Sequence, residues 1–432
     1  MRIVIAGFGE VGYRLAEKLM KDHEVLIVEK DLEKIRKASQ LDVAVVRGNA
    51  ANLLTLKKVE VSKADIFLAV TGNDEVNMLS GLIAKRLGVP KVIVRVENPE
   101  YVDKPLVKNH PFGYDAMICP QLALASEIAK ILSTPGAVDV VTLSGGKVDM
   151  VELIVMQSSD ADGKRIEEMN LPKNVIITTV YRNGEVIIPK GDFVLRSGDK
   201  IVLVGKSEEI ENLTSIFGAA VVKKVAIFGA GTVGSYVAKI LSKGPMKIKL
   251  FDLDPERCSL MSEELRNVKI VCGDFTEVKL LKDEEIGSSD AIVAATESDE
   301  INLATCLVSK SLGAKKAIAK VEKTEYVDLF ETVGIDAFCP KTVMFNETLK
   351  LLKLEGVETL VEFGKVVVIE VKNQTLKKKI EDLKLPKNVM IGAVIRGEEC
   401  LIPRGDTEIL PGDSLIVLTE WSEVEEVEKV FK

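Results

Sequence analysis

The sequence predicts an α/β fold built twice: a doubly wound parallel-sheet lobe followed by a small β-rich α+β lobe, then the same pair again. Three observations predict it. The chain repeats itself along its length. Each repeat opens with apolar strands alternating with amphipathic helices. Each then changes midway to short strands separated by turn signals.

The repeat is read residue by residue. Gly7-Phe-Gly9-Glu-Val-Gly12 matches Gly229-Ala-Gly231-Thr-Val-Gly234, and Gly48 matches Gly273. Thr71-Gly-Asn73-Asp74-Glu75-Val-Asn77 matches Thr296-Glu-Ser298-Asp299-Glu300-Ile-Asn302, and Cys119-Pro120 matches Cys339-Pro340. Further on, Leu171-Pro172-Lys-Asn174-Val matches Leu385-Pro386-Lys-Asn388-Val. Ile188-Pro189-Lys-Gly191-Asp192 matches Ile402-Pro403-Arg-Gly405-Asp406, and Ser197-Gly198-Asp199 matches Pro411-Gly412-Asp413. Short insertions account for the drift in spacing.

Residues 1–134 carry strand candidates at Ile3–Ala6, Val25–Val28, Val43–Val46, Ile66–Val70, Val92–Val94 and Ala116–Ile118. Helical stretches such as Val11–Met20 and Asn77–Leu87 lie between them, and this alternation implies a parallel sheet with helices on both faces. Ser133-Thr-Pro135-Gly136 breaks the last helix. Residues 135–221 then offer short strands at Val138–Leu143, Met150–Val155, Val175–Tyr181, Val186–Ile188 and Ile201–Val204. Asn183-Gly184 and Gly198-Asp199 mark turns between them, and 208–217 reads as a closing helix. Residues 222–355 and 356–432 repeat the layout.

Composition narrows the class. A length of 432 residues asks for several domains, and the balance of apolar and charged residues is globular. A net charge of −8 argues against nucleic acid as the main partner. No apolar run is long enough to span a membrane, and Met1 leads straight into a strand with no basic leader, so a cytoplasmic protein is expected. The six cysteines form no CxxC pair and read as reduced thiols; with only two histidines, no metal site is expected.

Each GxGxxG follows an apolar strand and opens a helix, the context of a Rossmann nucleotide site. Gly7 and Gly229 permit the turn, Gly9 and Gly231 let a pyrophosphate approach, and Gly12 and Gly234 allow close helix packing. The N–H groups at the helix start, around Glu10 and Val11 or Thr232 and Val233, attract phosphates. Glu29 and Asp252 close the second strand, where a carboxylate holds both ribose hydroxyls and repels a 2′-phosphate, favouring NAD over NADP. Arg257 either softens that preference or is a solvated helix residue. Asn49 and Asp274 follow the third strand; Asp274 caps the next helix or touches adenine, with capping preferred. Thr71 and Thr296 follow the fourth strand at the crevice, and Asp74 and Asp299 read as N-caps. Arg95 and Lys320 follow the fifth, to reach phosphates or to sit on the surface.

A dehydrogenase needs a proton-transfer group beside the nicotinamide and a substrate pocket. His23 and His110 have no counterparts in the other copy, and the second lobes carry no cluster of catalytic residue types. Regulation is therefore expected rather than catalysis. An NAD-dependent oxidoreductase and a nucleotide sensor of another cation transporter are the alternatives.

The chain resembles the TrkA-type potassium-uptake regulators built from RCK domains (regulators of potassium conductance). The N-terminal GxGxxG, the Thr71–Asn77 motif with Arg95-Val-Glu, and the IPxGD and GD signatures carry the resemblance across essentially the whole chain. It implies RCK N-lobes and C-lobes in alternation. It also implies a cytosolic gating-ring subunit, a homotetramer in tandem members, under a membrane-embedded Trk-type potassium channel or transporter subunit. NAD(H) or adenine nucleotides would bind the N-lobes. The segments Asp103 to Leu132 and Asp328 to Leu352 would be the crossover helices through which N-lobes pair. Some relatives carry an Arg after the second Gly to grip a γ-phosphate; Glu10 stands there, and Thr232 in the second copy. That points to NAD(H) in the first site and leaves ATP or ADP open in the second.

Overall fold

The computed structural model describes residues 1–432 except 103, 353–356, 364–365, 384, 387–388, 398, 420–422 and 432. The expected boundary near 355 lies outside the described residues.

The chain begins with β1 (Arg2–Ala6), α1 (Glu10–Leu19), β2 (Glu24–Glu29), α2 (Leu32–Ala38), β3 (Ala44–Arg47) and α3 (Leu53–Lys58). It continues through β4 (Ile66–Ala69), α4 (Asp74–Arg86), β5 (Lys91–Arg95), β6 (Leu106–Lys108), β7 (Ala116–Ile118) and α5 (Pro120–Ser133). The strands form one sheet in the order β3-β2-β1-β4-β5-β7-β6, parallel except for β6 on β7. Ile3 to Ala6 are fully buried because helices cover both faces, which is why the strand is apolar without alternation. α1 buries Val11, Leu15 and Leu19, one helical face at four-residue spacing. Strand order reverses between β1 and β4, and a crevice opens at their carboxyl ends.

An antiparallel sheet follows: β8 (Ala137–Leu143), β9 (Val148–Ile154), β10 (Val175–Arg182), β11 (Glu185–Ile187) and β12 (Lys200–Gly205), in the order β11-β10-β12-β9-β8. The closing helix is shorter than 208–217: α6 (Ser207–Leu213) tightens into a 3-10 turn over Thr214–Phe217, ended by Gly218 at φ +83°.

The second half repeats both plans. β13 (Lys224–Phe228), α7 (Thr232–Leu241), β14 (Lys247–Asp252), α8 (Pro255–Glu264), β15 (Val268–Cys272) and α9 (Val278–Asp283) come first. Then come β16 (Ala291–Ala294), α10 (Asp299–Leu312), β17 (Lys316–Lys320), α11 (Val327–Thr332), β18 (Asp336–Phe338) and α12 (Pro340–Leu351). The sheet runs β15-β14-β13-β16-β17-β18, all parallel. The last lobe comprises β19 (Val357–Phe363), β20 (Val366–Lys372), β21 (Lys378–Lys379), β22 (Met390–Arg396), β23 (Glu399–Leu401), β24 (Glu408–Ile409), β25 (Ser414–Thr419) and α13 (Val424–Phe431). Its main sheet is β19-β20-β25-β22-β23, with β21 and β24 as a separate ribbon.

The halves differ ahead of α5 and α12, which the repeat did not predict. The first crossover segment is helical as α5 and the second as α11 and α12, and Asp103 is outside the described residues. Ahead of α5 lies the strand β6, whose hairpin turn uses Asn109 and Gly113 at positive φ and packs His110, Phe112 and Tyr114 together. Ahead of α12 lies the helix α11, anchored by the buried Phe330 and stopped before Gly334 at φ +73°.

Equivalent lobes gather. One compact unit joins Met1–Ile128 to Lys223–Thr348; the other joins Ala129–Val222 to Leu349–Lys432. In the first unit each Rossmann lobe has its own core, and Tyr236 of the second packs against the first lobe's. In the other unit the two antiparallel sheets share one core, with Val148, Met150, Val202 and Val204 against Val361, Val368, Ala393 and Ile416. Among the described residues no helix is long and apolar enough to cross a membrane.

Candidate functional site: two unequal glycine loops

Where β1 ends, Gly7 turns the chain at φ +101°, and a Cβ there would meet the Thr71 backbone at 2.8 Å. A Cβ on Gly12 would lie 2.1 Å from the Gly7 carbonyl oxygen. Nothing lies within 4 Å of the Cβ position of Gly9. Packing therefore requires the first and third glycines, and clearance for something outside the chain accounts for the second. In the other half Gly229 has φ +97°, a Gly234 Cβ would sit 1.9 Å from the Gly229 oxygen, and Gly231 meets only Glu297 Oε1, at 3.9 Å. Gly9 and Gly231 are N-caps without a side-chain acceptor. Among the described residues the N–H groups of Gly9, Glu10 and Val11, and of Gly231, Thr232 and Val233, donate to nothing. Each loop thus offers free donors and the positive end of a ten-residue helix.

The acid at the end of the second strand ties that loop down. Glu29 accepts from Phe8 N at 2.8 Å through Oε2, and from Lys30 N at 2.7 Å and Asp31 N at 3.0 Å through Oε1. Asp252 accepts from Ala230 N at 2.6 Å and from Asp254 N at 2.9 Å. A carboxylate has about four lone-pair directions. Glu29 keeps about one of them for a ribose hydroxyl, not the two expected. Arg257 is not merely solvated: it bonds Asp254 at 3.0 Å and stands 3.5 Å from Asp252.

The other expected caps are corrected. Asn73 and Ser298 cap α4 and α10, each accepting from the third residue on. Asp74 instead accepts from Glu97 N and Asn98 N, and Asp299 from Glu322 N and Lys323 N, pinning helix four to the loop after strand five. Asp274 closes a turn onto Thr276, as Asn49 does onto Ala51. Asn52 caps α3, while Glu277, at the N-cap of α9, makes no side-chain cap bond. A carboxylate at the caps' next position does more by bridging two elements than by capping one.

Thr71 and Thr296 share one task. Each backbone N–H and hydroxyl donates to the carboxamide oxygen of Asn77 or Asn302, both fully buried. Those carboxamides donate onward to the carbonyls of Thr71 and Arg95, or Thr296 and Lys320. The motif is a clamp between strands four and five that also forms the crevice wall.

In the first half these pieces enclose a cleft of about 600 Å³. Gly7, Gly9, Glu10, Val11 and Glu29 line one side, and Asn49, Thr71 and Arg95 the other; Gly12 lies beneath the loop. Sequence reasoning missed four charged lining residues: Lys30, Lys34, Glu97 and Lys341. Lys341 comes from the second Rossmann lobe, at the start of α12. Its signal was present, because its repeat mate is Gln121, just as the mate of Glu10 is Thr232. The two breaks in the repeat carry opposite charges. Lys341 Nζ lies 2.9 Å from Glu10 Oε2, and Thr324 donates to Glu10 Oε1. Beside them Arg14 donates to Thr342 at 3.1 Å and lies over the Phe345 ring.

The second half closes its charges on itself. Lys320 is 2% exposed and pairs with Glu297 and Glu322, both at 2.9 Å, so it is not a surface residue. Burial opposes its charge, but the hydrogen bonds to Glu322 and Glu297 outweigh burial and hold the ammonium above the usual lysine range. Glu297 stands where the first half has Gly72. Among the described residues Arg95 pairs only with Glu97. Nearby, burial and the Cys272 thiol push the Cys258 thiol up to about 12, an unreactive thiol.

In the antiparallel lobes the GD signature is structural. Asp199 receives both prongs of Arg182, and Asp413 both prongs of Arg396; each aspartate is 2% exposed. Among the described residues no group of three His, Cys, Asp or Glu is placed to hold a metal ion.

The TrkA-N domain matches residues 3–120 and 225–340, and the TrkA-C domain matches 150–218 and 366–432. The chain is 56% identical over 436 residues to the Trk system potassium uptake protein TrkA homolog of Archaeoglobus fulgidus, covering 100% of both. It is 29% identical over 453 residues to the TrkA protein of Vibrio alginolyticus, covering 100% of this chain and 99% of that one. Among solved structures it is similar to the GsuK RCK domain (TM-score 0.62, 21% identity, 100% of this chain and 94% of that one). The GsuK channel bound to NAD is similar too (TM-score 0.62, 21% identity, 100% and 78%). Both structures share the fold. With both domain types matched in each half and more than half of all residues identical to a relative of the same extent, the chain belongs to the TrkA family.

Proposed function

We propose that the chain is the nucleotide-binding regulatory subunit of a Trk-type potassium uptake system. The observation that carries this is the pair of glycine loops whose helix-end donors have no partner among the described residues, in a chain whose relatives are named for potassium uptake. The four-lobe division near 134, 221 and 355 belongs to the same reading. So does assembly of the chain as a homotetramer beneath a membrane-embedded partner at the cytoplasmic face.

In the first cleft the ligand is NAD(H). The glycine loop takes the pyrophosphate, Glu29 one ribose hydroxyl, and Asn49, Thr71 and Arg95 the opposite wall. The Glu29 carboxylate disfavours a 2′-phosphate, and Glu10 disfavours a third phosphate. In the second cleft Gly231, Thr232, Val233 and Asp252 play the equivalent parts, and Thr232 brings no acid, so ADP or ATP is accommodated there. A nucleotide biases a partner only through different affinities for two shapes of the assembly.

Native purification followed by mass spectrometry of the carried nucleotide tests the ligand. NAD(H) is expected, and a preparation that holds none and binds none on titration would refute it. Potassium uptake in cells lacking the chain tests the role. Restoration by the wild-type chain, reduced when Gly9→Asp blocks the first cleft, is expected; full activity with both clefts blocked would overturn the reading.

A further inference from the structure

Lys341 belongs to the second Rossmann lobe yet lines the first lobe's cleft. Its ammonium has three donors. One goes to Glu10 Oε2 at 2.9 Å and one to the carbonyl of Glu322 at 2.6 Å. Among the described residues the third has no acceptor. Glu10 is the first residue of α1, directly beside the N–H groups that face the cleft. An anion on that helix end therefore lies within the reach of Lys341, and Glu10 already holds the ammonium there. Burial works against the Lys341 charge, and the Glu10 carboxylate more than offsets it, so the side chain remains a cation at neutral pH.

We propose that Lys341 is a phosphate-binding residue of the first cleft, contributed by the opposite half of the chain, with Glu10 holding it in position. The ligand class is a nucleotide with a pyrophosphate, whether a dinucleotide or a nucleoside diphosphate. Binding then joins the two Rossmann lobes through one ammonium, so occupancy of the first cleft is felt by the second half directly. The second cleft lacks the device: Gln121 stands where Lys341 does, and Thr232 where Glu10 does. This inference rests on the reading of the first cleft as a nucleotide site.

The alternative role for Lys341 is merely to neutralise Glu10. The two are separated by working where Glu10 is already neutral. In the full chain with Gly231→Asp, which leaves only the first cleft open, NADH and ADP affinities are measured for Glu10→Gln and for Glu10→Gln with Lys341→Met. The double variant is expected to bind both nucleotides at least fivefold more weakly than Glu10→Gln alone. Lys341→Arg on the same background is expected to restore most of the loss. Equal affinities with and without Lys341 would overturn the proposal, as would a loss that Arg leaves unrepaired. Absence of NADH and ADP binding to the wild-type chain would instead remove the nucleotide reading itself. Thermal melting of each variant separates lost contact from lost folding.

Discussion

Arg182 grips Asp199 in the first half with the same two prongs that Arg396 uses on Asp413 in the second. The Thr71–Asn77 clamp recurs bond for bond as Thr296–Asn302. Of the cleft ion pairs, Arg95 with Glu97 recurs as Lys320 with Glu322, but the others do not. In the first half Glu10 meets Lys341 across the lobes and Arg95 meets Glu97; in the second Lys320 is sealed between two glutamates and Asp252 beside Arg257. Duplication has kept what holds the lobes together and varied what faces a ligand. Scaffold substitutions should therefore act alike in the two halves, and cleft substitutions should not.

The largest expected effect is in the scaffold. Arg396→Met strands a buried carboxylate, and the cost is about 2–4 kcal/mol, the lower end of the usual range because the guanidinium is partly wet. Arg182→Met should cost the same within about 1 kcal/mol by chemical denaturation; a much smaller loss in one half would break the symmetry. Burial of Asp413 pushes its pKa upward, but the bond from Arg396 wins and the net shift of the pKa is down. A carboxyl lowered on folding stabilises above its unfolded value of about 3.9. That contribution is complete at neutral pH and is lost as the pH falls below about 4, an acid limit that Arg396→Met should remove.

Next comes the acid at the end of the second strand. Glu29→Ala leaves three backbone N–H groups without their acceptor and removes a ribose contact. NADH binding at the first site should weaken by about 1–3 kcal/mol, and the melting temperature should fall as well. A binding loss with unchanged melting would mean that the carboxylate serves the ligand alone. The smallest effect sharpens the comparison most. Glu297 is 83% exposed, so Glu297→Gln should cost under about 1 kcal/mol in stability. It loosens the hold on Lys320, and nucleotide affinity at the second site should rise several-fold in the chain carrying Gly9→Asp. An unchanged affinity would show that the Lys320 cluster does not limit that site.

Much of this was legible in the sequence. The six parallel strands of each Rossmann lobe and both glycine loops follow from periodicity and spacing, because burial on both faces forces unbroken apolar runs. Which carboxylate caps a helix was not legible. Asn73 and Asp74 are adjacent, either type can cap, and only the loop after β5 coming within 3 Å of Asp74 decides between them. The strand β6 and the helix α11 occupy matching places, and their difference lies in local turn chemistry that the repeat obscures. Lys341 was missed for a geometric reason: its cleft partner is more than 300 residues away along the chain.

Calorimetric titration of the full chain with NADH, compared with Gly9→Asp and Gly231→Asp, tests the inequality of the two clefts most directly. Neither substitution meets a heavy atom closer than 3.9 Å at its Cβ, so both variants should fold. Two classes of site are expected, the tighter one absent in Gly9→Asp and retained in Gly231→Asp. A single class of identical sites, halved in number by either substitution, would contradict it.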